Sequence, residues 1–241
     1  MAQPSRVFFV QSLSQNGIVE AVPGENREIM AMRARIILAD DHTLLLDAFR
    51  HLLEPKYEVV GTATDGREML KMVSKLAPDL VLMDIAMPNL NGIDAGEKLK
   101  KNQPHVKLVF LTVNEEPDMI AEAFRIGADG YLLKSTPATE LFEAIETVLN
   151  SKSYLSRKLA NTRTGASVRN PGAQTLHGDL SLRQREVLQL LAEGHTMKKV
   201  AVILNITPRT VAFHKYQIME NLDVETNSEL IQYAIKHGFV T

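Results

Sequence analysis

Short apolar runs alternate with helix-length segments between residues 35 and 149, and this alternation limits the possible folds more than any other feature. The runs are almost continuously apolar, which is typical of strands buried on both faces of a parallel sheet that has helices on either side. Five strand–helix units therefore predict a doubly wound α/β domain with a five-stranded parallel sheet. The runs lie at residues 36–39, 59–60, 80–83, 108–111 and 130–133.

The chain changes character on both sides of this region. Residues 151–176 are rich in Ser, Asn, Thr and Gly and contain five basic residues and no acidic residue, which is typical of a linker. After residue 180, apolar residues recur at helical spacing to the end of the chain. We therefore predict a flexible N-terminal extension (1–33), an α/β domain (34–150), a linker (151–176) and an all-α, four-helix domain (177–241).

Composition excludes several functional classes. The formal net charge of −2 argues against a chain that coats nucleic acid through bulk charge, but it is compatible with one local binding face. The absence of cysteine excludes disulfides, thiolate nucleophiles and cysteine metal sites, and it is consistent with a reducing cytoplasm. No apolar run approaches the roughly 20 residues that cross a bilayer, so we expect no membrane association.

Polar residues follow four of the predicted strands. Asp40 and Asp41 follow the first strand, Asp84 follows the third, and Thr112 and Lys134 end the fourth and fifth. Ligands of doubly wound sheets bind beyond the carboxyl ends of the strands, so these side chains are expected to converge. A divalent cation would relieve the repulsion between carboxylates, and Mg²⁺ suits such an oxygen-ligand site. One carboxylate could then act as nucleophile toward a phosphoryl donor.

The motifs around these residues resemble those of the receiver domain of bacterial response regulators. The matching segments are LADDH at 38–42, LVLMDIAMP at 80–88, NG at 91–92, LT at 111–112 and GADGYLLK at 127–134. The resemblance implies a flavodoxin-like fold in which Asp84 accepts a phosphoryl group from a sensor histidine kinase.

The resemblance also implies roles for the neighbouring residues. The Mg²⁺ ligands would be Asp41, Asp84 and the Ala86 carbonyl, with Asp40 supporting them from outside the coordination sphere. The residues that read the phosphoryl group would be Thr112 and Lys134, with Tyr131 changing rotamer as Thr112 moves.

The C-terminal segment predicts a helix-turn-helix. Ser181 is a candidate N-cap for a first helix that ends at Gly194. A second helix opens at Thr196, and Thr207 followed by Pro208 marks the start of a third, which runs to about residue 221. A fourth covers roughly 228–237. Two short helices joined by a tight turn are typical of this motif, whose second helix enters the major groove of DNA.

The third helix divides into two faces. Val211, Ile218 and Leu222 can pack inward, whereas Phe213 and Tyr216 lie on the opposite face, where they could contact thymine methyls or sugars. We expect the DNA-contacting residues to be Arg209, Thr210, Ala212, Phe213, His214, Lys215 and Tyr216, with His214 and Lys215 reaching phosphates.

This region resembles the LuxR-type output domain of the NarL/FixJ group. The matching segments are LRQREVL at 182–188, LAEG at 191–194, VA at 200–201, TVAFHK at 210–215 and IMENL at 218–222. The resemblance implies promoter DNA as ligand and a homodimer on DNA, with half-sites roughly 34–36 Å apart.

Together the two regions predict a cytoplasmic, phosphorylation-dependent transcriptional regulator of a two-component system that is not an enzyme on other substrates. One alternative is a DNA-binding regulator that uses the receiver for dimerisation without phosphorylation. A second is a Mg²⁺-dependent phosphatase or phosphotransferase, which the lack of a distinct general acid disfavours. A helical interaction bundle is a third alternative for the C-terminal region.

Overall fold

The computed structural model describes residues 33–160 and 180–240. The described residues belong to one compact unit that begins at Arg33. Most of the predicted N-terminal extension and of the predicted linker lies outside the described residues.

The first described segment, which we call the α/β domain, alternates strands and helices. Its strands are β1 (Arg35–Ala39), β2 (Glu58–Ala63), β3 (Leu80–Met83), β4 (Lys107–Thr112), β5 (Gly130–Leu133) and β6 (Tyr154–Leu155). Its helices are α1 (Thr43–Leu53), α2 (Gly66–Leu76), α3 (Gly92–Asn102), α4 (Pro117–Arg125), α5 (Ala138–Leu149) and the short α6 (Arg157–Ala160).

The strands form one parallel sheet in the order β2-β1-β3-β4-β5-β6. The residues of β3 and β5 are all buried, as the continuous apolar runs predict, and separate apolar clusters lie on the two faces of the sheet. The doubly wound fold is thus confirmed. The strand count of five was wrong for the described residues, because β6 spans only two residues and has no periodicity to detect.

The second described segment, which we call the helical domain, contains α7 (Leu182–Ala192), α8 (Met197–Leu204), α9 (Pro208–Asn221) and α10 (Asn227–Lys236). The first helix starts with a capping box between Ser181 and Gln184, and Gly194 follows its end with φ +85°. Thr207 caps α9 immediately before Pro208. All four predicted helices are present. Their starts could be predicted because they depend on local capping residues.

In the described parts of the chain, no helix combines the length and apolar character that a membrane crossing requires.

Candidate functional site

Three side chains from different strands meet at the carboxyl edge of the sheet. The Lys134 Nζ atom, after β5, lies 2.7 Å from Asp84 Oδ2, after β3, and 2.7 Å from Asp40 Oδ2, after β1. Each of the three side chains is at most 11% exposed. The structure therefore brings Asp40, Asp84 and Lys134 together, as the strand pattern predicts. We call Asp40, Asp41, Asp84 and Lys134 the acid pocket.

Backbone contacts fix the position of Asp84. Its N–H donates to the carbonyl of Ala39, and its Oδ1 accepts the N–H of Ile85 at 2.7 Å. The chain then turns so closely that a Cβ at Gly92 would lie 2.2 Å from the carbonyl oxygen of Asp84. Glycine is therefore required at position 92 to keep this loop in its conformation.

Burial and charge set the protonation of the pocket. Burial raises the pKa of Asp84 above its usual value, and Asp40 adds to the rise, whereas the ammonium group of Lys134 opposes it. Burial alone would lower the pKa of Lys134, but its hydrogen bonds to the two carboxylates outweigh this and raise it. Lys134 is therefore held as a cation between two carboxylates.

The outer side of the acid pocket offers oxygen ligands for a cation. Asp41 is exposed, and ligand atoms of Asp40, Asp41 and His42 lie within 4.8 Å of one another. The Nδ1 atom of His42, which sequence reasoning missed, lies 2.8 Å from Asp41 Oδ1. Asp41 and Ala86 line the same cleft. Two or three carboxylates with a nearby carbonyl suit Mg²⁺, which takes oxygen ligands and retains several waters.

Two further predicted residues lie on β4 and β5. Thr112 is buried, and its Oγ1 accepts a long hydrogen bond of 3.3 Å from the N–H of Asn114. The ring of Tyr131 is fully buried, and its hydroxyl donates to the carbonyl of Asn114 at 2.9 Å. Burial, followed by the negative charge of Asp84, raises the pKa of Tyr131. The β4–α4 loop is thus held by both side chains.

The predicted reading face of α9 is open. Phe213 and Tyr216 are 57% and 67% exposed, whereas Val211 and Ile218 on the other face are fully buried. Lys215 lies beside the ring of Tyr216, with Nζ 5.8 Å from the ring centroid. The two-faced character predicted from helical spacing is therefore present.

The remaining predicted contact residues differ in exposure. Arg209 is exposed, Ala212 is half-buried, and the hydroxyl of Thr210 lies 2.9 Å from that of Thr207 in the helix cap. His214 is half-buried, and its Nδ1 atom is buried without a hydrogen-bond partner among the described residues. Burial, followed by the charge of Arg183, lowers the pKa of His214 and so favours the neutral ring.

Sequence reasoning missed a polar face on α7 that packs against the α/β domain. Arg185, Glu186 and Gln189 are each buried, although such residues are rarely buried unless paired. Their partners belong to α2, α3 and the loop between β3 and α3. The signal in the sequence was the presence of three polar residues at i, i+1 and i+4 on α7.

Comparisons with known proteins agree with the division into an α/β domain and a helical domain. Residues 36–146 match the family described as response regulator receiver domain, and residues 179–234 match the bacterial regulatory proteins of the luxR family. The oxygen regulatory protein NreC of Staphylococcus aureus is 34% identical over 210 residues, which cover 84% of this chain and 97% of NreC.

Solved structures of response regulators also align with most of this chain. An RcsB response regulator from Salmonella typhimurium aligns with a TM-score of 0.58 at 26% identity, over 85% of this chain and 98% of RcsB. RcsB from Salmonella enterica serovar Typhimurium, bound to promoter rprA with the phosphomimetic BeF₃⁻, aligns with a TM-score of 0.54 at 28% identity, over 83% of this chain and 98% of that one.

A receiver fold with an acid pocket, joined to a helix-turn-helix, defines a signalling protein that acts on transcription. This chain belongs to the response regulators that carry a LuxR-type DNA-binding output domain.

Proposed function

We propose that Asp84 accepts a phosphoryl group from a sensor histidine kinase and that this modification controls promoter binding by α9. The observation that carries the proposal is the position of Asp84, buried beside Asp40 and held at 2.7 Å by Lys134. A carboxylate in such a site can act as a nucleophile, while the neighbouring cation offsets the charge that arrives with the phosphoryl group.

The chemistry is a single displacement at phosphorus. A carboxylate oxygen of Asp84 forms a bond to phosphorus as the bond from phosphorus to the donor imidazole nitrogen breaks, and the released imidazole takes up a proton. Lys134 and Thr112 lie at neighbouring strand ends, where they would hold phosphoryl oxygens. The product is an acyl phosphate on Asp84.

Mg²⁺ would supply charge neutralisation to the phosphoryl oxygens when bound. The residues that would hold it are Asp41, Asp84 and the carbonyl of Ala86, with Asp40 supporting them through its contacts to His42 and Lys134.

In the helical domain, α9 would enter the major groove with Phe213 and Tyr216 toward the bases and Lys215 toward a phosphate. A homodimer would place two such helices on half-sites one helical turn apart, roughly 34–36 Å. The protein would act in the cytoplasm, where both the kinase domain and promoter DNA are available.

The test is phosphoryl labelling of the full-length chain by acetyl phosphate with Mg²⁺. We expect one labelled group per chain, no labelling of Asp84→Asn, and normal labelling of the matched control Asp47→Asn, whose side chain is exposed on α1. DNA selection with and without the donor should give a motif that wild type binds more tightly when phosphorylated. Persistent labelling of Asp84→Asn, or continuous turnover of the donor in place of one group per chain, would contradict the proposal.

A further inference from the structure

The helical domain lies over the opening of the acid pocket. A cleft of about 390 Å³ has Asp41 and Ala86 on one side and Glu193, Ile235 and Phe239, all from the helical domain, on the other. Asp41 belongs to the acid pocket, and Ala86 follows Asp84 by two residues in the chain, so the cleft that the helical domain partly encloses borders the exposed side of the acid pocket.

One side chain ties the helical domain to the loop after Asp84. The fully buried Gln189 accepts the N–H of Asn91 at 2.9 Å and donates to the carbonyl of Met87 at 2.9 Å. One turn further along the chain, Glu193 accepts the N–H of Asn89 at 2.9 Å. Because these contacts are to backbone groups, they fix the path of the loop itself.

Ion pairs extend the contact along α3. Arg185 lies 2.8 Å from Asp94 and also pairs with Glu97, and neither Arg185 nor Asp94 is more than 6% exposed. Glu186 pairs with Arg67 and Lys98, each at 2.7 Å. Burial would raise the pKa of Glu186, but these cations outweigh it and lower the pKa.

A contact of this composition can open. Its charged groups regain water on separation, so the net stability of such pairs is modest, and polar interfaces between domains are typical of movable arrangements. The contact is nevertheless specific, because removing one partner leaves the other buried without a partner.

We propose that the helical domain acts as a lid that admits a small phosphoryl donor to Asp84 but excludes a protein donor until the lid opens. A space of about 390 Å³ lies within the range that accommodates small ligands. A protein donor must instead dock a surface of roughly 800 Å² around the pocket. The helical domain occupies part of that surface.

The inference rests on the proposed role of Asp84, and the test compares two donors on the full-length chain. The donors are acetyl phosphate and an autophosphorylated sensor-kinase fragment, chosen from a panel by its transfer to this chain. Gln189→Ala should accelerate transfer from the kinase fragment by about tenfold, equivalent to ~1.4 kcal/mol of lost docking free energy. It should leave labelling by acetyl phosphate unchanged.

The matched control is Gln232→Ala, which removes an exposed glutamine of the same domain and should change neither rate. Glu97→Lys provides a second route to an open lid, because it repels Arg185 from a half-buried position on the other domain. The lid is ruled out if both opening variants receive phosphate from the kinase fragment at the wild-type rate. It is also ruled out if the variants accelerate transfer from both donors equally. If labelling by either donor persists in Asp84→Asn, the role of Asp84 fails instead.

Discussion

Arg185 and Asp94 face each other across the two domains, with 2.8 Å between Nε and Oδ1 and almost no exposure of either side chain. Burial raises the pKa of Asp94 to about 6, although Arg185 and the amide of Asn91 oppose the rise. Ionisation of Asp94 therefore lowers the stability of the folded protein, and the size of this effect depends on pH.

The first prediction is that Asp94→Asn changes the pH dependence of stability. Because the folded-state pKa of Asp94 is above the unfolded value of 3.8, the folded protein binds the extra proton between about pH 4 and 6. The contribution of Asp94 to stability is full below pH 4 and is lost as the pH rises through 6. Relative to Asp94→Asn, the wild type should therefore lose stability over this window, by at most ~1.4 kcal/mol per pH unit.

Urea unfolding followed by circular dichroism at several pH values measures this difference. Asp47→Asn, an exposed change of the same type, should follow the wild type across the window. Parallel curves for Asp94→Asn and wild type would show that Asp94 has an ordinary pKa.

The second prediction concerns Lys134. Lys134→Gln leaves Asp40 and Asp84 buried without their cation, so the free energy of unfolding in EDTA should fall by about 3 kcal/mol. Saturating Mg²⁺ should recover more stability in the variant than in the wild type, because the cation replaces the missing positive charge. Chemical denaturation with and without Mg²⁺ tests this, with the exposed Lys75→Gln as control. Equal Mg²⁺ effects in both proteins would count against a cation site in the acid pocket.

The third prediction separates DNA binding from folding. Phe213→Ala and Tyr216→Ala should each weaken binding to the selected duplex by about tenfold, or ~1.4 kcal/mol, because they remove apolar contacts to bases. Their stability should change by less than about 0.5 kcal/mol, since both rings are mostly exposed. Fluorescence anisotropy with a labelled duplex gives the affinity, and Leu44→Ala removes an exposed apolar group from the α/β domain as control. Unchanged affinity in both ring variants would place the reading face elsewhere.

The fourth prediction concerns salt. Lys215→Ala should reduce the slope of log affinity against log salt concentration by about one, because one phosphate contact is lost. The control Lys236→Ala removes an exposed lysine at the end of α10 and should retain the wild-type slope. The same slope in both variants would mean that Lys215 touches no phosphate.

The acid pocket could be predicted from sequence because each of its residues ends an apolar run. Parallel strands bring their carboxyl ends to one edge, so the strand pattern was sufficient to bring Asp40, Asp84 and Lys134 together. The starts of the helices could be predicted equally well, because Ser181 and Thr207 each accept a hydrogen bond from the backbone N–H three residues further on.

The contact between domains could not be predicted in this way. Gln189 meets groups about 100 positions earlier in the chain, and no local periodicity encodes that pairing. His214 was expected to reach a DNA phosphate, but the sequence did not indicate that one of its ring nitrogens would be buried. Its contact with phosphate remains a prediction.

The short strand β6 has a practical consequence for work on the α/β domain in isolation. It pairs with Gly130 and Tyr131 and so covers the outer edge of β5, whose backbone groups would otherwise be open to strand addition by another chain. A fragment ending at residue 150 would lose this cover, together with Leu159, which is buried against the sheet. A fragment ending after Ala160 would keep both and should resist self-association during purification.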